Sequence, residues 1–193
     1  MRRQRASFRR LIRNESGVAA IELAIILPLL LLMFCGMIDA STLLSDNRRL
    51  SYSANAVADL VSRLDSPTTP EKVADAFMAA ELVMRSSQPA NTRVEIYLYR
   101  KVGLNAVQQW VRNNGVTPDC GAAPTPPSVT DLMAAGNDII IAVTCATFKP
   151  IIAQVTGDNI KFVGQTSFQL REQIAVRPRF SLLLDCPNSC TPP

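Results

Sequence analysis

The sequence predicts an α+β fold in which a long N-terminal helix, apolar and then amphipathic, packs on an antiparallel sheet of about three to four strands. Three observations carry this. Val18 to Ile38 is apolar apart from Glu22. A helical stripe then continues to Leu64 with no strong breaker. The segments with strand character come after the two long helices, a pattern of helices first and strands afterwards that argues for an antiparallel sheet.

The 193-residue chain has a formal net charge of +4, unevenly spread. Residues 1–17 hold Arg2, Arg3, Arg5, Arg9, Arg10 and Arg13 against Glu15, a net +5, whereas residues 18–193 hold 14 basic and 15 acidic residues, a net −1. The high isoelectric point therefore describes the leader, and a basic domain gripping nucleic acid is not expected. Val18 to Ile38 is about the 20 residues that a helix needs to cross a bilayer core. The excess of arginine before it places the N-terminus in the cytoplasm and the rest of the chain outside. Glu22 is the anomaly: a carboxylate inside an apolar span costs about 3 kcal/mol on insertion scales and points to a function with a partner. Pro28 removes one backbone donor from the span, which membrane helices tolerate when neighbours compensate.

Beyond the span, Leu43, Asn47, Leu50, Ala54, Val57, Val61 and Leu64 step by four and three, one stripe of a helix. A single helix from Val18 to Leu64 follows, about 70 Å long, with the stripe packing on the protein's own domain or on other subunits. Ser66-Pro67-Thr68-Thr69-Pro70 ends it. Thr69 is a candidate N-cap for a second helix, with Pro70 in its first position and its end near Arg85, before Ser86-Ser87-Gln88-Pro89. Thr92 to Arg100 alternates with period two and reads as a half-buried strand, with Val107 to Arg112 as its hairpin partner. Residues 117–128, with Pro118, Pro124, Pro126 and Pro127, form a loop tied down by Cys120. Asp138 to Phe148 is the strongest strand and belongs in the sheet centre. Lys149 to Thr156 predicts a short helix. Ile160 to Val176 predicts a long alternating strand bent near Gly164. The domain plan is thus a basic cytoplasmic leader (1–17), a transmembrane helix (18–38), its amphipathic extension (39–64) and an extracytoplasmic α+β domain (65–193).

Of the five cysteines, Cys35 lies in the apolar span. Cys120, Cys145, Cys186 and Cys190 follow on the oxidising side, where an even count reads as two disulfides. Four cysteines allow three pairings; local closure favours Cys120–Cys145 and Cys186–Cys190. The competing reading is one zinc site of four thiolates, disfavoured by the absence of C-x2-C spacing and of histidine. With no histidine, the usual general base is missing too, and there is no GxSxG, P-loop or GxGxxG. Glu95, Asp138, Asp158 and Glu172 are expected on the solvated surface; Tyr97, Tyr99 and Trp110 are expected in sheet packing. No catalytic constellation, cofactor, metal or small-molecule substrate is expected.

The remaining motif is Gly17-Val18-Ala19-Ala20-Ile21-Glu22. It resembles the class III signal of type IV pilin-like proteins, in which a basic leader ends in glycine, the apolar helix begins at once, and glutamate is the fifth residue of the mature chain. Across residues 9 to 50, Arg-Arg-Leu-Ile-Arg-Asn-Glu-Ser-Gly-Val-Ala-Ala-Ile-Glu-Leu-Ala-Ile-Ile-Leu-Pro and the apolar run ending Gly36-Met37-Ile38-Asp39 are similar to the TadE/TadF pseudopilins of the tight-adherence (Tad/Flp) pilus. Leu23 stands where that family usually has phenylalanine, and Asp39 where it frequently has glutamate. The resemblance implies a pilin-like fold and a minor pilin or assembly factor of an adhesion pilus. It implies an inner-membrane protein with a periplasmic C-terminal domain, processed after Gly17 by a prepilin peptidase and partnered by other pilins and pseudopilins. Glu22 would set register by pairing with the α-amine of Val18 in its own or a neighbouring subunit. The alternative is an uncleaved, singly anchored extracytoplasmic binding module. An ordinary signal peptide cut near Ile38-Asp39-Ala40 would have a shorter apolar core.

Overall fold

A computed structural model describes residues 16–84, 92–103, 105–117, 119–124, 138–155 and 167–180. The leader arginines, the stop at Ser86–Pro89, Pro126 and Pro127, Asp158, the strand region around Gly164 and the Cys186–Cys190 pair lie outside these residues.

One helix, α1, runs from Ser16 to Ser62 and continues through Pro28. It is the single long helix the sequence predicts, ending two residues before Leu64. Helix α2 spans Pro70–Met84. Thr69 stands at its start, where its carbonyl accepts the Val73 N–H at 3.3 Å. Hydrogen bonds from the backbone and from Thr69 hold the Glu71 carboxyl below its usual pKa, as suits an acid in the first turn of a helix. The sheet comprises β1 (Thr92–Val102), β2 (Asn105–Asn113), β3 (Asp138–Phe148) and β4 (Phe168–Val176), with the short helix α3 (Ile151–Val155) between the last two. All pairings are antiparallel, in the order β2-β1-β3-β4. β3 is central, as its uninterrupted apolar run requires. Gly103 turns the β1–β2 hairpin at φ 64°, a conformation in which a side chain would be strained.

Both helices lie on one face of the sheet. Val57, Ala58 and Val61 of α1 and Val73, Ala76 and Ala80 of α2 meet Val94, Ile96, Leu98, Trp110, Ile140 and Ala142 of the strands. The alternate positions face the other way, where Tyr97, Tyr99, Ile139, Ile141, Val143 and the Cys120–Cys145 disulfide form a second cluster. The helical stripe therefore packs on the protein's own domain, with Leu50, Ala54, Val57 and Val61 fully buried. Asn47, assigned to that stripe from its spacing, is exposed. Arg179 docks here too. The Arg179 N–H donates to the Ser62 carbonyl at 2.7 Å, and its guanidinium donates to Asp59 at 2.6 Å, placing a cation at the negative end of the helix dipole.

Two expectations are corrected. β1 is not half-buried: nearly every residue from Thr92 to Tyr99 is buried, because the segment from Asn114 to Pro124 covers its second face. Glu95 and Asp138 are not solvated surface. Glu95, 4% exposed, accepts from Arg93 at 2.5 Å and from the Tyr97 hydroxyl at 2.8 Å. Asp138, 1% exposed, takes a two-pronged bond from Arg100 at 2.7 and 2.9 Å, a fork geometry that suits arginine. The favoured Cys120–Cys145 disulfide is present, which rules out the competing zinc site of four thiolates. Tyr97, Tyr99 and Trp110 are in sheet packing, as expected.

Candidate functional site

The N-terminal half of α1 projects from the domain. From Gly17 to Phe34 every residue is exposed, and partial burial begins at Cys35. The large apolar side chains between Val18 and Phe34 are 45–71% exposed. At 1.5 Å per residue, the stretch from Gly17 to Ile38 measures about 33 Å, against about 30 Å for a bilayer hydrocarbon core. A helix apolar on all sides and packed on nothing is a candidate membrane span. Among the described residues it is the one helix long and apolar enough to cross a membrane, and it lies near the N-terminus, which fits a single-pass membrane protein.

Gly17, Val18 and Glu22 sit together at the outer end of this element, all exposed. Val18 and Glu22 are four residues apart and share one helix face. A methyl group added at Gly17 would meet nothing within 4 Å, so the fold itself does not require glycine there.

Where the span meets the domain, Asp39 is 3% exposed. Its carboxylate accepts the backbone N–H groups of Ile151 at 2.7 Å and Ile152 at 3.3 Å. These are two of the donors that the start of a helix leaves unpaired, so α1 caps α3 across more than 100 residues of chain. Just outside, Ser41 and Thr42 donate their hydroxyls back to Met37 and Ile38 carbonyls at 2.9 and 3.0 Å, which satisfies the first polar side chains past the span within the helix. The sequence reading gave Asp39 no role beyond its charge. The signal was available: an acid directly after an apolar run, on a helix that continues into a packed domain.

On the far face of the sheet, Arg93 links Glu95, the Val116 carbonyl at 2.6 Å and Asp119 at 2.8 Å. Tyr99 donates to the Pro124 carbonyl at 3.0 Å and Arg171 to the Ala122 carbonyl at 2.8 Å. With the disulfide, these bonds strap residues 114–124 over β1 and β3. Burial, then the Glu95 hydrogen bond, push the Tyr97 phenol well above its usual pKa; burial raises Tyr99 as well. The polar groups here are consumed in mutual bonding, so the cluster is a structural brace. Among the described residues no group of three or more acidic, cysteine or histidine side chains is arranged to hold a metal ion.

The model of the TadE-like protein family matches residues 17–59. No curated protein and no solved structure matches the chain. The matched stretch is α1 from its first turn to within three residues of its end, so it contains the span, Glu22, Asp39 and most of the packing stripe. The match suggests a membrane protein associated with the Tad pilus system, and over that helix the chain is similar to TadE-like proteins.

Proposed function

We propose that the protein is a minor pseudopilin and assembly factor of a Tad (Flp) adhesion pilus, structural and not enzymatic. It is inserted in a bacterial inner membrane with its N-terminus in the cytoplasm and its C-terminal domain in the periplasm, and is cleaved after Gly17 by a prepilin peptidase. The observation that carries this reading is the coincidence of the TadE-like match with a helix that stands clear of the domain from Gly17 to Phe34 and carries one acid there, Glu22. Gly17 supports it further, since the glycine has no role in the fold.

Cleavage would leave a positive α-amino group on Val18, one helical turn from Glu22. A carboxylate alone in lipid is costly; paired with an amine of its own or a neighbouring subunit it is not. That pairing favours one axial register between adjacent helices. Other pilins and pseudopilins of the system would meet the span and the strapped domain.

The test is the intact mass and N-terminal sequence of protein extracted from membranes of cells with and without the cognate prepilin peptidase. The expected chain begins at Val18 only when the peptidase is present. A chain that keeps residues 1–17 in both backgrounds refutes processing and leaves an anchored binding module. A chain beginning near Ser41 refutes the span.

A further inference from the structure

The face of α1 that packs on the sheet is apolar only from Leu50 onward. Between Asp39 and Arg49 the same side of the helix turns polar, and the sheet does not close onto it. A cavity of about 350 Å³ lies there, walled by Asp39, Thr42, Ser45, Asp46 and Arg49 on the helix. Met84, Phe148 and Leu170 form an apolar wall, and Lys149 stands at the end of β3. Lys149 is two residues before the N–H that Asp39 holds, so its backbone lies within about 7 Å of the end of the span. Asp46, seven residues further on, is about 10 Å higher along the axis. The cavity therefore begins in the headgroup layer, about 5–8 Å thick on each side of the bilayer, and rises above it.

Asp46 is partly buried and makes no hydrogen bond or ion pair among the described residues. A half-covered carboxylate on the wall of a cavity calls for a donor. The cavity has Lys149 at its membrane end, the Asp46 carboxylate deeper in with Arg49 one turn beyond it, and an apolar wall beside them. We propose that it seats the headgroup of a phosphatidylethanolamine from the outer leaflet, with the phosphate accepting from Lys149 and the primary ammonium donating to Asp46. The order along the membrane normal is right, since the ammonium of this lipid lies further from the hydrocarbon than its phosphate. The apolar wall covers the glycerol and the ethylene carbons. A quaternary choline headgroup has no N–H to give Asp46, and a glycerol headgroup has no cation. The lipid would act as a shim between span and domain, fixing the depth at which the domain rides. This inference rests on the reading of residues 18–38 as a membrane span.

The full chain, purified in detergent, is mixed with equal amounts of phosphatidylethanolamine, phosphatidylcholine and phosphatidylglycerol, and retained lipid is read by native mass spectrometry. One tight phosphatidylethanolamine per protein is expected. Asp46→Asn should lower its retention about tenfold, the loss of one charge-assisted hydrogen bond, and remove the preference over phosphatidylcholine. Lys149→Gln should lower retention of both phosphatidylethanolamine and phosphatidylglycerol. Ser45→Leu, which fills the cavity without touching either charge, should exclude the lipid. Equal retention of the three lipids by the wild type, or an unaltered Asp46→Asn variant, overturns the proposal. A dimer that excludes lipid also overturns it and gives the cavity to a second copy. Flotation with liposomes separates the two levels: a chain that floats without selectivity has lost only the headgroup site, whereas one that does not float has lost the span.

Discussion

Replacing Asp39 with alanine tests whether the clamp at the foot of the domain is what joins α3 to α1. The carboxylate is 3% exposed and its two hydrogen bonds differ in quality, 2.7 Å to Ile151 N and 3.3 Å to Ile152 N. Removing a helix cap costs up to about 2 kcal/mol. A hydrogen bond to a charged group contributes about 1.5–3 kcal/mol. Only the shorter bond is near ideal, so the loss should be about 2 kcal/mol in all. For a domain of this size that lowers Tm by about 4–8 °C. The assay is thermal unfolding of the full chain in detergent, followed by circular dichroism, with hydrogen exchange at the Ile151 and Ile152 amides as the local readout. Asp39→Asn keeps one acceptor and should fall between wild type and alanine. Asp39→Glu keeps the carboxylate and should recover most of the loss. A Tm for Asp39→Ala within about 1 °C of wild type, with unchanged exchange at both amides, would refute the clamp.

Two further outcomes follow from the strapped face of the sheet. The Cys120–Cys145 bridge closes a segment with a sequence separation of 25, so the Cys120→Ala, Cys145→Ala double variant should lose about 3.5 kcal/mol in urea unfolding; a loss below about 1 kcal/mol would mean that the hydrogen bonds of residues 114–124 hold the strap unaided. The Tyr97 and Tyr99 phenols have folded pKa values raised above the ordinary 10.0, chiefly by burial. The folded state thus keeps their protons longer than the unfolded state does. Their contribution is complete below about pH 10 and is lost as pH rises beyond it. Tm should decline through that window in the wild type and decline less in Tyr97→Phe, which has no proton to lose there; equal declines would exclude Tyr97 as a source.

The sequence by itself determined the elements whose signals are local. Twenty-one residues with one acid are long enough to cross a bilayer as a helix, the form in which a single segment satisfies its own backbone in lipid. Leu50, Ala54, Val57 and Val61 repeat at helical spacing and can bury only one face. Thr69-Pro70 starts a helix by its own capping chemistry, and the apolar run of β3 suits only the interior of a sheet. What the tertiary structure decided were matters of pairing and coverage. Alternation in β1 shows that Glu95, Tyr97 and Tyr99 share a face, but not that a strap 20 residues away covers it. Asp138 reads as a strand-end acid until Arg100, 38 positions distant in the chain, closes on it. Asp39 reads as the polar edge of a span until α3 brings the Ile151 and Ile152 N–H groups to it. In each case the deciding partner is far away in sequence. A charged side chain is buried or solvated according to whether a complementary group meets it, and the folded chain alone brings the two together.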